Sequence, residues 1–170
     1  GNVDTRLHRV SSGDLDAVIL AAAGLARLDR TSAVTEFLEP DQMLPAPGQG
    51  SLGVEAAGDL AERDPDLHKA LCTLDDFSTH VAVDAERAVL NALEAGCTAP
   101  VGALATVTPA PSEVKAESEV HLQAMTAAVD GSQMIRMSIT GNASQAAELG
   151  RELAALLLAA GAADLLGEHE

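Results

Sequence analysis

The sequence predicts two units of different class, an α/β unit within residues 1–91 and a compact α+β unit within residues 98–170. Three observations carry that prediction. Leu15 to Ala23 (LDAVILAAA) is a continuous apolar run, short and partly β-branched, as in a strand covered on both faces. Apolar residues between Phe77 and Ala95 recur at helical spacing, whereas beyond Cys97 the period drops to two. Asp130-Gly131 then joins two of the later strands as a hairpin dipeptide, which makes their sheet antiparallel.

Taken in order, Ser12-Gly13-Asp14 is a turn, the strand over 15–23 follows it, and Gly24 ends that strand. Pro45 to Gly50 (PAPGQG) is stiff and then flexible, so the chain is expected to cross between units there, with 45–50 as a hinge and a strand over Ser51 to Ala56 after it. Asp64 caps a short helix with Pro65 in its first turn and Leu67, Ala70, Leu71 and Leu74 at helical spacing. The longer helix, from about Phe77 to Ala95, turns Val81, Ala82, Ala85, Ala88, Val89, Ala92 and Leu93 inward and stops at Gly96. Strands are predicted over Val101–Val107, Val120–Val129 and Gln133–Thr140. A last helix over Ser144–Ala160 buries Ala146, Leu149, Leu153, Leu156, Leu157 and Ala160, and Gly161 closes it. No internal repeat is visible.

Composition narrows the function. At 170 residues and 47% apolar content the chain has material for a buried core. Its formal charge is −16, and the excess is spread along it: seven basic against sixteen acidic residues up to position 91, three against ten beyond. Nucleic acid and anionic membranes are therefore poor partners, and any anionic ligand must be held by local arginines. With two Phe and neither Trp nor Tyr, stacking platforms for bases or sugars are essentially missing. No apolar run approaches the roughly 18 to 20 residues of a membrane span and GNVDTRLHRV does not resemble a signal peptide, so a cytoplasmic location is expected. Cys72 and Cys97 are too few for a disulfide framework and lie at no metal-ligand spacing from a histidine, so free thiols and no metal are expected.

Gly48-Gln49-Gly50-Ser51-Leu52-Gly53 fits G-x-G-x-x-G, but a proline-bounded connector precedes it and a strand follows, the reverse of what a dinucleotide site needs. The five histidines are scattered, which suits surface or packing roles better than catalysis. Cys97 sits just past a helix C-terminus, where partial negative charge holds a thiol protonated and disfavours a protease-like nucleophile. Two readings stay open for it: a structural thiol, or a covalent tether for a strongly electrophilic partner that needs no activated sulfur. Cys72, on the flank of an amphipathic helix, reads as incidental. Arg6 and Arg27 are two of only ten basic residues, one in GNVDTR and one just after the apolar run. Either they meet a ligand where α/β sheets bind them, or they form surface ion pairs with Asp4 and Asp29.

Five blocks carry a resemblance. GNVDTRL at 1–7, DAVILAAAGLARL at 16–28, LPAPGQGSLGVE at 44–55, AERAVLNALEAGCTAPVGA at 85–103 and LAALLLAAGAADLL at 153–166 are similar, in order and spacing, to those of the porphobilinogen deaminase family. The resemblance implies two periplasmic-binding-protein-like α/β domains enclosing a cleft and a third α+β domain. Residues 1–44 and 77–91 would belong to the second domain, 51–72 to a return segment of the first, and 92–170 to the third. It also implies a dipyrromethane cofactor joined to Cys97 by a thioether, on which four porphobilinogen units are polymerised, with loss of ammonia, to hydroxymethylbilane. By the same resemblance Arg6 and Arg27 pair with pyrrole carboxylates, and Gly1, Asn2 and Ala22 line the cleft. The family's catalytic aspartate has no counterpart in these residues, so the 170 residues read as a fragment, inactive alone, of a protein that is a monomer when full length. Ala57 and Ala95 depart from the family's usual arginine and glycine. The competing reading is a non-enzymatic α/β anion-binding domain or degenerate homologue, which keeps both arginines but carries no adduct on Cys97.

Overall fold

The computed structural model of the chain describes residues 2–96, 98–110 and 117–166. Contacts divide the chain into two compact units, Gly1–Glu39 and Pro40–Glu170.

In the first unit, α1 spans Val3–Ser11 and α2 spans Ala22–Arg27, followed by a 3-10 turn at Thr31–Ala33. α1 begins where Asn2 accepts the Asp4 N–H on its side-chain oxygen at 3.1 Å, the interaction that makes asparagine a good N-cap. The strand expected over 15–23 does not form: residues 17–21 carry no regular structure, Ala22 opens α2 instead, and Ile19 is 59% exposed. An apolar run becomes a strand only by pairing, and the described strands all lie between Val101 and Asn142, where they pair with one another. Leu25 of α2 is buried.

The second unit holds α3 (Leu60–Arg63), α4 (Pro65–Cys72), α5 (Phe77–Ala92), β1 (Val101–Thr108), β2 (Glu119–Ala127), β3 (Met134–Asn142), α6 (Ala146–Ala159) and α7 (Ala162–Leu166). Asp64 accepts the Leu67 N–H at 3.0 Å and Asp76 the Thr79 N–H at 2.8 Å, so α4 and α5 start at their side-chain caps. The expected strand over 51–56 is absent, again for want of a partner: Leu52 is 84% and Val54 62% exposed. The stripe of α4 is also largely uncovered, with Leu67 and Leu74 exposed.

The sheet has the order β1-β2-β3 and is antiparallel throughout. Asp130-Gly131 turns β2 into β3 as expected, Gly131 taking φ 73° and the Asp130 carboxylate accepting the Ser132 N–H at 2.9 Å. Its register lines up Ala105, Leu122 and Ile139, and next to them Ala103, Ala124 and Met137, on the face that α5 and α6 cover. Val89, Leu122, Leu153 and Leu157 are wholly buried between the layers. The helices approach closely because Gly150 of α6 lies against Ala88 of α5; a Cβ there would come within 2.6 Å of the Ala88 methyl. α6 follows a 3-10 turn at Ala143–Gln145, and Leu156 and Ala160, expected inside, face outward while Ala154 is buried.

Candidate functional site

The residues singled out for ligand binding in the first unit are Asn2, Arg6, Ala22 and Arg27; Gly1 lies outside the described residues. Asn2 and Arg6 sit at the start of α1, Ala22 is the first residue of α2 and Arg27 its last. All four are exposed. Arg30, three residues past Arg27, reaches back to Asp4 at 3.5 Å and so ties the first turn of α1 to the chain leaving α2. That pair occupies Asp4, and among the described residues neither Arg6 nor Arg27 makes a salt bridge. The ion-pair alternative for these two arginines, with Asp4 and Asp29, is therefore not realised. Two free guanidinium groups in a chain of net charge −16 suit a carboxylate-bearing ligand, since each can hold a carboxylate through two parallel N–H bonds.

Cys97 lies outside the described residues, but its flanks are fixed. α5 ends at Ala92, short of the expected Ala95. Glu94 takes φ 51° and donates its N–H to the Asn91 carbonyl at 3.1 Å, while the Ala95 N–H reaches the Leu90 carbonyl at 3.2 Å. This paired ending normally uses glycine at its left-handed position; here Glu94 fills it and Gly96 comes two residues later. On the other side, Ala99 donates to the Gly96 carbonyl at 3.1 Å and β1 begins at Val101. Ala99 and Pro100 border a largely apolar cavity of about 260 Å³ together with Met43, Leu44, Ala46 and Met125.

Two residues with structural leverage escaped the sequence reading. Glu86 of α5 is only 6% exposed, and its two carboxylate oxygens accept the Gly48 N–H at 2.7 Å and the Ala105 N–H at 2.9 Å. Burial pushes its pKa above the usual glutamate value, opposed by those two backbone bonds. Arg136 of β3 donates to the carbonyls of Asp41 and Pro40 at 2.7 and 3.1 Å and to the Gln123 side chain at 2.6 Å. Glu86 left a signal in the sequence: it stands four residues after Ala82 and three before Val89, a charge on the apolar face of its own helix. Arg136 left none, since only the sheet register brings it to Pro40 and Asp41.

Comparison with known proteins bears on the whole chain. Residues 1–64 match the sequence model described as porphobilinogen deaminase, dipyromethane cofactor binding domain, and residues 80–159 match that of porphobilinogen deaminase, C-terminal domain. The chain belongs to the porphobilinogen deaminase family. Similar relatives are the porphobilinogen deaminase of Nocardia farcinica, 53% identical over 99% of this chain and 48% of its own length, and porphobilinogen deaminase 1 of Streptomyces avermitilis, 52% identical over 100% and 52%. That of Mycobacterium tuberculosis is 53% identical over 98% of this chain and 53% of its own length. The chain thus spans about half the length of the curated porphobilinogen deaminases it matches. Arg6, Arg27, Asn2, Ala22 and Gly1 fall within the cofactor-binding match and Cys97 within the C-terminal one. Among the described residues no helix is long and apolar enough to cross a membrane.

Proposed function

We propose that this chain is part of a hydroxymethylbilane synthase, a cytoplasmic transferase of tetrapyrrole synthesis whose substrate is porphobilinogen. The observation that carries the reading is the match of both domains of one family, in order, along nearly the whole chain. On this reading residues 1–39 belong to a periplasmic-binding-protein-like α/β domain and 51–72 return to a further domain, whereas 40–44 and 77–91, expected in the α/β domain, pack with the three-stranded sheet and α6 and so join 92–170 in the α+β domain. The chain supplies binding groups and an anchor; the acid-base residue lies elsewhere in the whole protein, so residues 1–170 alone do not turn over substrate.

A dipyrromethane cofactor, when bound, provides the pyrrole terminus on which four porphobilinogen units are joined with loss of ammonia before hydrolysis releases the linear tetrapyrrole. Cys97 anchors it through a thioether. Arg6 and Arg27 hold acetate and propionate carboxylates, a task that suits their exposed, unpaired guanidinium groups, and they confine binding to one place in an otherwise repelling acidic surface. Asn2 retains its amide N–H donors after capping α1 with its oxygen, and Gly1 and Ala22 contribute backbone or contact surface. The whole protein is a monomer that binds neither nucleic acid nor membrane.

Intact mass of the full-length protein tests this. The expected result is a dipyrromethane increment that Cys97→Ser abolishes, and a KM for porphobilinogen raised about tenfold or more by Arg27→Ala, the loss of one charge-assisted carboxylate contact. An unmodified mass with anion binding retained would favour the non-enzymatic alternative.

A further inference from the structure

We propose that residues 40–50 are a strap carried by the α+β unit, latched by Arg136 at one end and Glu86 at the other, so that bending of the chain takes place outside this stretch. Its composition, with Pro40, Pro45, Pro47, Gly48 and Gly50, reads as a joint. The geometry is that of a fixture. At the first end the Arg136 guanidinium holds the carbonyls of Pro40 and Asp41, faces the Asp41 carboxylate at 3.5 Å and is itself braced by Gln123 of β2. In the middle Leu44 is 4% exposed, lying over Gly102 of β1 so closely that a Cβ on that glycine would stand 2.8 Å from the Leu44 Cβ. The next residue, Pro45, accepts the Ala103 N–H at 3.0 Å. At the far end Gly48, at φ 76°, presents its N–H to Glu86, whose other oxygen takes the Ala105 N–H.

The tethers fall at positions 40–41, 44–45 and 48, so that no stretch between them exceeds three residues. Two of the tethers are charge-assisted, the stronger class of hydrogen bond, and the partners lie on three elements of one packed core. The strap also gives the Ala103 N–H an acceptor in the Pro45 carbonyl, and Glu86 of α5 gives one to the Ala105 N–H, so the edge of β1 is met there in place of a further strand. This inference concerns mechanics alone and stands or falls independently of the chemistry proposed above.

Residual dipolar couplings of backbone amides in the full-length protein decide it. Couplings from residues 41–44, 46 and 48–50 are expected to fit the same alignment tensor as β1, β2 and β3. Arg136→Ala should reduce those of 41–44 by half or more, and Glu86→Ala those of 46 and 48–50, while α6 keeps its values. Strap couplings in the wild type that need a separate or strongly scaled tensor would overturn the proposal, and this measurement does not depend on either variant folding. Unchanged strap couplings in both folded variants would equally remove Arg136 and Glu86 as the latches.

Discussion

Glu94 adopts φ 51° at the end of α5, a conformation that costs a side-chain-bearing residue roughly 1–2 kcal/mol and glycine almost nothing. Replacing it with glycine is expected to stabilise the protein by about 1 kcal/mol in urea or thermal unfolding, less the extra freedom glycine has when unfolded. The substitution tests whether the helix ends where its hydrogen bonds say, two residues before the glycine that the sequence offered as the stop. Thr126 is a second residue at odds with its surroundings, fully buried with a hydroxyl that has no hydrogen-bond partner among the described residues. Neither departure was legible in advance. Glu94 stands two residues before a better candidate in Gly96, and Thr126 belongs to an alternating pattern that any β-branched residue would satisfy.

Elements whose cause is local were read correctly. α4 and α5 have side-chain caps and helical periodicity, and the hairpin has its Asp-Gly pair, so each could be assigned from a window of a few residues. The runs at 15–23 and 51–56 have the composition of strands, but a strand is a relation between segments, and no described partner pairs with either. Packing between elements makes its own prediction at Gly150. A methyl there would strike the Ala88 side chain and the α5 backbone near Ala85 and Val89, which cannot yield as a flexible side chain would. Gly150→Ala is therefore expected to destabilise by about 2 kcal/mol in denaturant unfolding, although alanine is the better helix former by about 1 kcal/mol.

The N-terminal turn of α5 supplies a prediction about pH. His80 bonds to Asp75 at 2.8 Å and lies 3.5 Å from Asp84; the hydrogen bond and then the charges of Asp75 and Asp84 raise its pKa above 6.5. A histidine raised in the folded state contributes stability that is fully present below its unfolded value and is lost as pH rises through the folded one. Proton NMR should place the His80 titration above 6.5, and Asp75→Asn should move it back down. Because the side chain is 56% exposed, the stability at stake is small and should fade with salt.

Across the whole molecule, the formal charge of −16 made Arg6 and Arg27 conspicuous, and the structure leaves both free of ion pairs among the described residues. The two arginines proposed to bind carboxylates thus stand out because they are exceptions to the composition. What holds the second unit together was less so: Glu86 and Arg136 act on a segment nearly forty residues earlier and one nearly a hundred residues earlier in the chain. Contacts of that span leave little trace in any short window. The α+β unit accordingly begins at Pro40 by contacts, well before the first strand of its sheet.

Where a protein is cut decides whether its parts survive. A piece beginning at Phe77 would contain every described strand and both large helices, yet it would leave the Ala103 amide bare and the Glu86 carboxylate without one of its donors. Such a piece is expected to elute as soluble aggregates in size-exclusion chromatography, whereas one beginning at Pro40 should run as a single species.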